Sequence, residues 1–207
     1  MIGSLPLAYL LGYWIGDGWY VNNHGLEQLR WICNADDYPK VAAALEEYGT
    51  FRKFNPQKSG HLVYTSTREM TADCISAGLD IHTNATNKRL PVGWLDWAPE
   101  FQWKLLEGLM DSDGSVSKPK ENKSTLVYYA TVHRELAGEV YALMTELGLK
   151  ATARPYELKA DWSKSPFVYY VRVSSVSLAH MNKHLTLQTK KQERLEALAA
   201  QPRRMAA

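Results

Sequence analysis

One nine-residue pattern occurs twice in this chain. Leu10–Gly18 reads LLGYWIGDG and Leu106–Gly114 reads LEGLMDSDG, and Asp113 follows Asp17 by 96 positions. In that alignment Gly12 falls on Gly108, Gly16 on Ser112 and Gly18 on Gly114. Each copy is an apolar, helix-like run that ends in Asp-Gly. A chain of 207 residues that repeats one helix–acid unit is expected to be two pseudo-symmetric halves.

Two features of the repeat need a reason. Glycine inside a helix costs roughly 1 kcal/mol against alanine. Gly12 and Gly16, like Gly108 and Ser112, are small residues at i and i+4 on one face, which lets two helices approach backbone to backbone. The second feature is the acid. Asp17 and Asp113 fall in the last helical turn, where the macrodipole is already negative and a carboxylate is disfavoured. If the two helices pack side by side, both acids converge at one end. Such a pair is a poor structural element and a good divalent-cation site.

The halves repeat their element order as well. Ser4 and Pro6 read as the N-cap and first-turn proline of the first helix. A hairpin (19–21 and 26–33), a helix (38–48), a second hairpin (51–54 and 61–66) and a helix (69–77) follow, the two helices closing at Gly49 and Gly78. After Gly114 the same order returns: a hairpin (115–118 and 125–131), a helix (133–147) closing at Gly148, a hairpin (150–156 and 167–173) and a helix (177–184). The stretch 91–99 reads as the connector and 192–200 as an extra helix. The expected division is 1–95, 96–187 and a C-terminal helix and tail over 188–207.

This constellation resembles the LAGLIDADG homing endonucleases in their two-motif monomeric form, closely in the second motif and loosely in the first. The resemblance implies an α+β fold of two αββαββα halves. Their antiparallel sheets would form a DNA-binding saddle, with the motif helices packed at the interface. It also implies that the last acid of each motif, Asp17 and Asp113, binds the metal used to cut DNA, with Gly16 and Ser112 contributing through the backbone. The motif's first acid is kept as Asp111 but replaced by Ile15 in the other half. Residues at i and i+2 point to different sides of a helix. The site is therefore expected from Asp17 and Asp113, with Asp111 a local hydrogen-bonding residue.

A shorter echo adds two lysines. Asn87-Lys88-Arg89-Leu90 and Asn182-Lys183-His184-Leu185 share a pattern; Lys88 lies 71 residues after Asp17 and Lys183 lies 70 after Asp113. Lys88-Arg89-Leu90-Pro91 is similar to a catalytic lysine segment in the intein-type branch of the family, whereas Thr186 stands where Lys183 would need the proline. Asp17 with Lys88 and Asp113 with Lys183 would make two strand-cutting centres. Metal ions between carboxylates clamp nucleophile and leaving group, and a lysine offsets charge at each phosphate. Magnesium is the expected ion, being hard and content with few carboxylates, with manganese as a substitute.

Double-stranded DNA is the expected partner, read by the sheet faces, since a two-stranded ribbon fits the major groove. Candidates in the first half are Gln28, Arg30, Arg52, Lys53, Lys58, His61 and Arg68. Those in the second are Lys118, Lys120, Lys123, Lys150, Arg154, Tyr156, Lys159, Lys164 and Arg172. Arg30, Arg154 and Arg172 suit guanine, and hairpin-tip lysines suit phosphate. A net charge of +2 does not by itself announce a nucleic-acid binder. Cys33 and Cys74 give no CxxC spacing, so buried thiols in a reducing compartment are expected. No apolar run reaches transmembrane length and no charged n-region precedes the first one, so the expected setting is the cytoplasm or an organellar matrix. His180 and His184 are spaced to share a metal but have no third ligand in view, so a stacked or solvent-facing pair is expected. An RNA maturase or a non-cleaving DNA-binding protein of the same fold is the competing function.

Overall fold

The computed structural model describes residues 2–33, 38–48, 52–53, 62–83, 87–118, 126–158 and 165–201. By packing, the chain divides into two compact units, Met1–Asp113 and Gly114–Ala207.

The first unit opens with α1 (Leu5–Asp17), started by Ser4, whose hydroxyl accepts the Leu7 amide at 3.2 Å. Strands β1 (Gly18–Asn23) and β2 (Leu26–Cys33) form the first hairpin, followed by α2 (Tyr38–Tyr48), β3 (Arg52–Lys53), β4 (Leu62–Thr65) and α3 (Arg68–Ser76). The strands make one antiparallel sheet ordered β1-β2-β4-β3. Alternation is visible along β2, where Leu29, Trp31 and Cys33 are buried while Gln28, Arg30 and Ile32 are half-exposed. That is the pattern of a sheet with one face on a core. The unit closes with α4 (Pro99–Ser112), entered through a 3-10 turn at Trp94–Asp96. Helix α4 belongs to this unit because it packs along α1.

The second unit repeats the order: β5 (Gly114–Val116), β6 (Val127–Thr131), α5 (Arg134–Glu146), β7 (Ala151–Glu157), β8 (Phe167–Val173) and α6 (Leu178–His184), then the additional α7 (Thr189–Ala199). Its sheet runs β5-β6-β8-β7, strand for strand the order of the first. The α+β architecture with two antiparallel sheets is as the repeat implied. The ends of α3 and α5 are built alike, while Gly49, the expected counterpart of Gly148, lies outside the described residues. Gly78 and Gly148 have φ of 94° and 75°, and the amides of Leu79 and Leu149 reach back to the carbonyls of Cys74 and Met144. Only glycine takes that left-handed stop without strain.

Candidate functional site

The core of α1 and α4 is built on their glycines. A Cβ on Gly12 would overlap the carbonyl oxygen of Leu105, and one on Gly108 would overlap that of Tyr9. Backbone meets backbone there, as the small residues at i and i+4 required. One turn on, a Cβ at Gly16 would strike the Ser112 side chain and come within 3.3 Å of the Asp113 carboxyl carbon. The two Asp-Gly ends therefore converge, with Asp17 half-buried and Asp113 exposed.

Lys88 is the third member of this cluster. It is only 8% exposed, and its ammonium donates to the carbonyls of Trp14 (3.1 Å), Gly16 (3.1 Å) and Gly18 (2.8 Å). All three N–H groups thus serve the negative end of α1, and the Trp14 ring lies 5.2 Å away. Burial pulls the Lys88 pKa down to about 8, opposed by the attraction of Asp113 and Asp17. A lysine held at the meeting point of two acids and a helix C-terminus offsets their mutual repulsion. Its sequence counterpart Lys183, at the end of α6, is exposed. The echo between the two segments is one of sequence and not of surroundings.

Asp111 points away from this cluster. Its carboxylate, fully buried, accepts from the Lys40 ammonium at 2.5 Å and the Tyr9 hydroxyl at 3.2 Å. Lys40 also reaches Glu107 at 2.9 Å, whose two oxygens bind Lys104 at 2.9 and 3.1 Å. Asp111 is a hydrogen-bonding residue as expected, but the partners shown are 71 and 102 positions away and not local. The buried network around it was missed by sequence reasoning, although two acids at i and i+4 in an apolar helix were a usable signal.

The oxygen-donor chemistry of the cluster suits a hard divalent ion. Among the described residues no group of three His, Cys, Asp or Glu side chains converges, so any ion would rest on two acids plus backbone and solvent oxygens. The Gly16 carbonyl already accepts from Lys88, which leaves it one lone pair. His180 and His184 stack edge to face with ring centroids 4.8 Å apart, and His180 also meets the Leu147 carbonyl at 3.0 Å.

On the open faces of the sheets the basic candidates differ in kind. In the first sheet one row across the strands is Trp19, Arg30, Thr65 and Arg52; in the second the matching row is Ser115, Tyr128, Arg172 and Thr152. Gln28, paired with Val21, lies two residues from Arg30 on the same face, whereas Lys53 pairs with Tyr64 in the row of the buried Trp31 and Tyr64 and not in that of Arg30. Arg172 lies over the rings of Tyr156 (5.0 Å) and Tyr170 (5.6 Å), and Tyr170 is braced edge-on by Tyr128 at 5.0 Å. Arg154 is exposed opposite Tyr170, and Arg68, Lys118 and Lys150 are exposed. Lys58, His61, Lys120, Lys123, Lys159 and Lys164 lie outside the described residues.

Comparison with known proteins converges on one fold. Residues 100–194 match the family model of a LAGLIDADG-like domain. The homing endonuclease I-DmoI in complex with DNA and calcium superposes with a TM-score of 0.60 at 14% identity, covering 93% of this chain and 97% of that one. I-WcaI bound to its DNA recognition sequence gives 0.59 at 12% identity, covering 94% and 87%. An uncharacterized protein of Methanocaldococcus jannaschii, MJ1054, is 24% identical over 178 residues; the match covers 82% of this chain but only 19% of that protein. Among the described residues no helix is long and apolar enough to cross a membrane.

Proposed function

From a chain whose residues 100–194 are a LAGLIDADG-like domain and whose fold is that of solved homing endonucleases, we propose a site-specific endonuclease that cuts both strands of a long, asymmetric DNA target by metal-dependent hydrolysis. It works as a single chain. The observation that supports this most is the convergence of Asp17 and Asp113 beside the buried ammonium of Lys88. Capping α1 accounts for Lys88 alone; the two acids crowded beside it are what a purely structural reading leaves unexplained.

Each residue then has a task. Asp17 and Asp113 would hold magnesium, or manganese in its place, with the Gly16 and Ser112 carbonyls as further oxygens. When bound, such an ion supplies Lewis-acid neutralisation of charge on the phosphate. Lys88 lowers the cost of two ionised acids at two helix ends, and its positive charge adds to the field at the scissile phosphate. Its N–H groups are engaged with α1, so this contribution is electrostatic. Lys183, exposed at the end of α6, would serve the other phosphate through looser contact. The motif around Lys88 through Pro91 supports assignment to the intein-type branch.

The sheets supply recognition. Arg30 and Gln28 in β2, and Arg172, Arg154 and Tyr156 in β7 and β8, would meet base edges. Arg52, Lys53, Lys58, His61, Arg68, Lys118, Lys120, Lys123, Lys150 and Lys159 would complete the contacts, mostly to phosphate. A randomised duplex library incubated with and without magnesium tests the proposal directly. Enrichment of one cut sequence only in the metal-containing arm is expected. Metal-independent binding without cutting would leave the non-cleaving alternative.

A further inference from the structure

The two acids sit on two helices, and each helix is held near its acid by a different lysine. Lys88 secures the end of α1. Nothing assigned so far secures the end of α4, yet the structure holds a device there. Lys40, from α2, bridges Asp111 and Glu107 at 2.5 and 2.9 Å; Tyr9, from α1, donates to the same Asp111 oxygen at 3.2 Å; and the Lys40 ammonium lies 4.8 Å from the Tyr9 ring centre. Both carboxylates are about 1% exposed. Three helices thus meet at one ammonium.

We propose that Lys40 is a positioning residue for the metal-binding acid Asp113, an inference that rests on the function proposed above. Asp111 and Asp113 are two residues apart in the last turn of α4 and lie on different sides of it. Whatever fixes the rotation of Asp111 about the helix axis fixes Asp113. With side chains reaching about 5–6 Å from the axis, a turn of about 10° moves a carboxylate by about 1 Å. A displacement of that size is enough to cost about 100-fold in rate.

A carboxylate buried near a helix C-terminus has strong reason to rotate toward solvent unless a cation meets it. Lys40 removes that reason. Lys104 lies on α4 itself and binds Glu107, whereas the ammonium that meets Asp111 in the last turn comes from α2. The matching positions on α1 are Leu11 and Ile15, both buried and apolar, which need no such partner. Because α2 connects β2 to β3, the same lysine joins the first sheet to the turn bearing Asp113.

The test uses the full chain with manganese as the probe. Manganese affinity is measured by titration without DNA, and cleavage is followed on the selected target. Lys40→Met is expected to weaken manganese binding about tenfold and slow cleavage about 100-fold per folded molecule. Lys40→Arg should fall between it and the wild type. The double variant Lys40→Met with Asp111→Asn should regain manganese affinity to within about threefold, because a neutral side chain there no longer demands a cation. If Lys40→Met does not fold, the arginine and double variants carry the same comparison. Lower melting temperature with unchanged manganese affinity and unchanged rate would reduce Lys40 to a structural role and overturn the proposal, as would a double variant no better than the single one. A wild type that binds manganese but cuts nothing would sink the nuclease reading alone, with Lys40 still judged on metal affinity.

Discussion

The two halves share a backbone and differ in what they put on it. Where the helices touch, Gly12 and Gly108 are interchangeable in role, each admitting the other helix's carbonyl. One turn away the likeness ends. Leu11 and Ile15 on α1 correspond to Glu107 and Asp111 on α4; all four are buried, but only the second pair needs cations. Buried Lys88 corresponds to exposed Lys183, and the row Trp19, Arg30, Thr65 corresponds to Ser115, Tyr128, Arg172. The arginine has changed strands between the sheets. Close backbone contact tolerates one solution, whereas charge can be balanced in several ways, and the difference between the halves follows that division. A nuclease built so would favour an asymmetric target.

The sharpest challenge to equivalence of the acids is to remove them singly. Asp17→Asn and Asp113→Asn are each expected to abolish double-strand cleavage and leave DNA binding in magnesium-free buffer nearly intact. Gel-shift and plasmid assays on the same preparations check this, and full cutting by either variant would break the shared site. Asp111→Asn should slow the reaction less.

The lysines should separate the halves next. Lys88→Ala is expected to slow cleavage by about two to three orders of magnitude, the scale for one charge-stabilising group. Lys183→Ala should do much less. A supercoiled-plasmid time course resolves nicked from linear product, and accumulation of nicked DNA for one variant would show that each lysine serves one strand. Equal slowing by both would restore the symmetry that their burial argues against.

Where the halves are alike, they should fail alike. Gly12→Leu and Gly108→Leu should each destabilise the chain by more than the ordinary ~1–3 kcal/mol of overpacking, because the new side chain meets backbone that cannot step aside. Thermal melts with matched losses are expected; an unchanged melting temperature in either would mean that the helices do not depend on that contact.

The smallest effect is the most local. Arg172, held over Tyr156 and Tyr170, should read one guanine. Arg172→Ala is expected to relax preference at a single target position by about 1–3 kcal/mol, whereas Lys150→Ala should weaken binding evenly across sequences. Library selection with both variants distinguishes them.

Much of this was legible in advance because it rests on local rules. The helix starts at Ser4, the stops at Gly78 and Gly148, the alternation of β2 and the small residues of the motif each follow from one residue's chemistry. The expected service of Asp111 as a hydrogen-bonding residue followed from its angle to Asp113. The roles of Lys40 and Tyr9 were not legible, since their partner Asp111 lies 71 and 102 positions along the chain and only packing brings them together. The same holds for the contrast between Lys88 and Lys183, whose sequences look alike and whose burial does not. A stretch of sequence records a side chain's type, but desolvation belongs to the surroundings.

That α4 completes the first unit bears on how the protein is made. Leu10, Leu11, Tyr13 and Trp14 are at most 1% exposed in the finished molecule, and the surface that covers α1 includes a helix ending at Ser112. At about 5–20 residues per second, a ribosome needs roughly 5–20 seconds to advance from the first motif to the second. During that interval the nascent chain presents a finished apolar helix whose partner does not yet exist. Chaperone occupancy on stalled ribosomes should therefore peak before the second motif emerges and fall once it has.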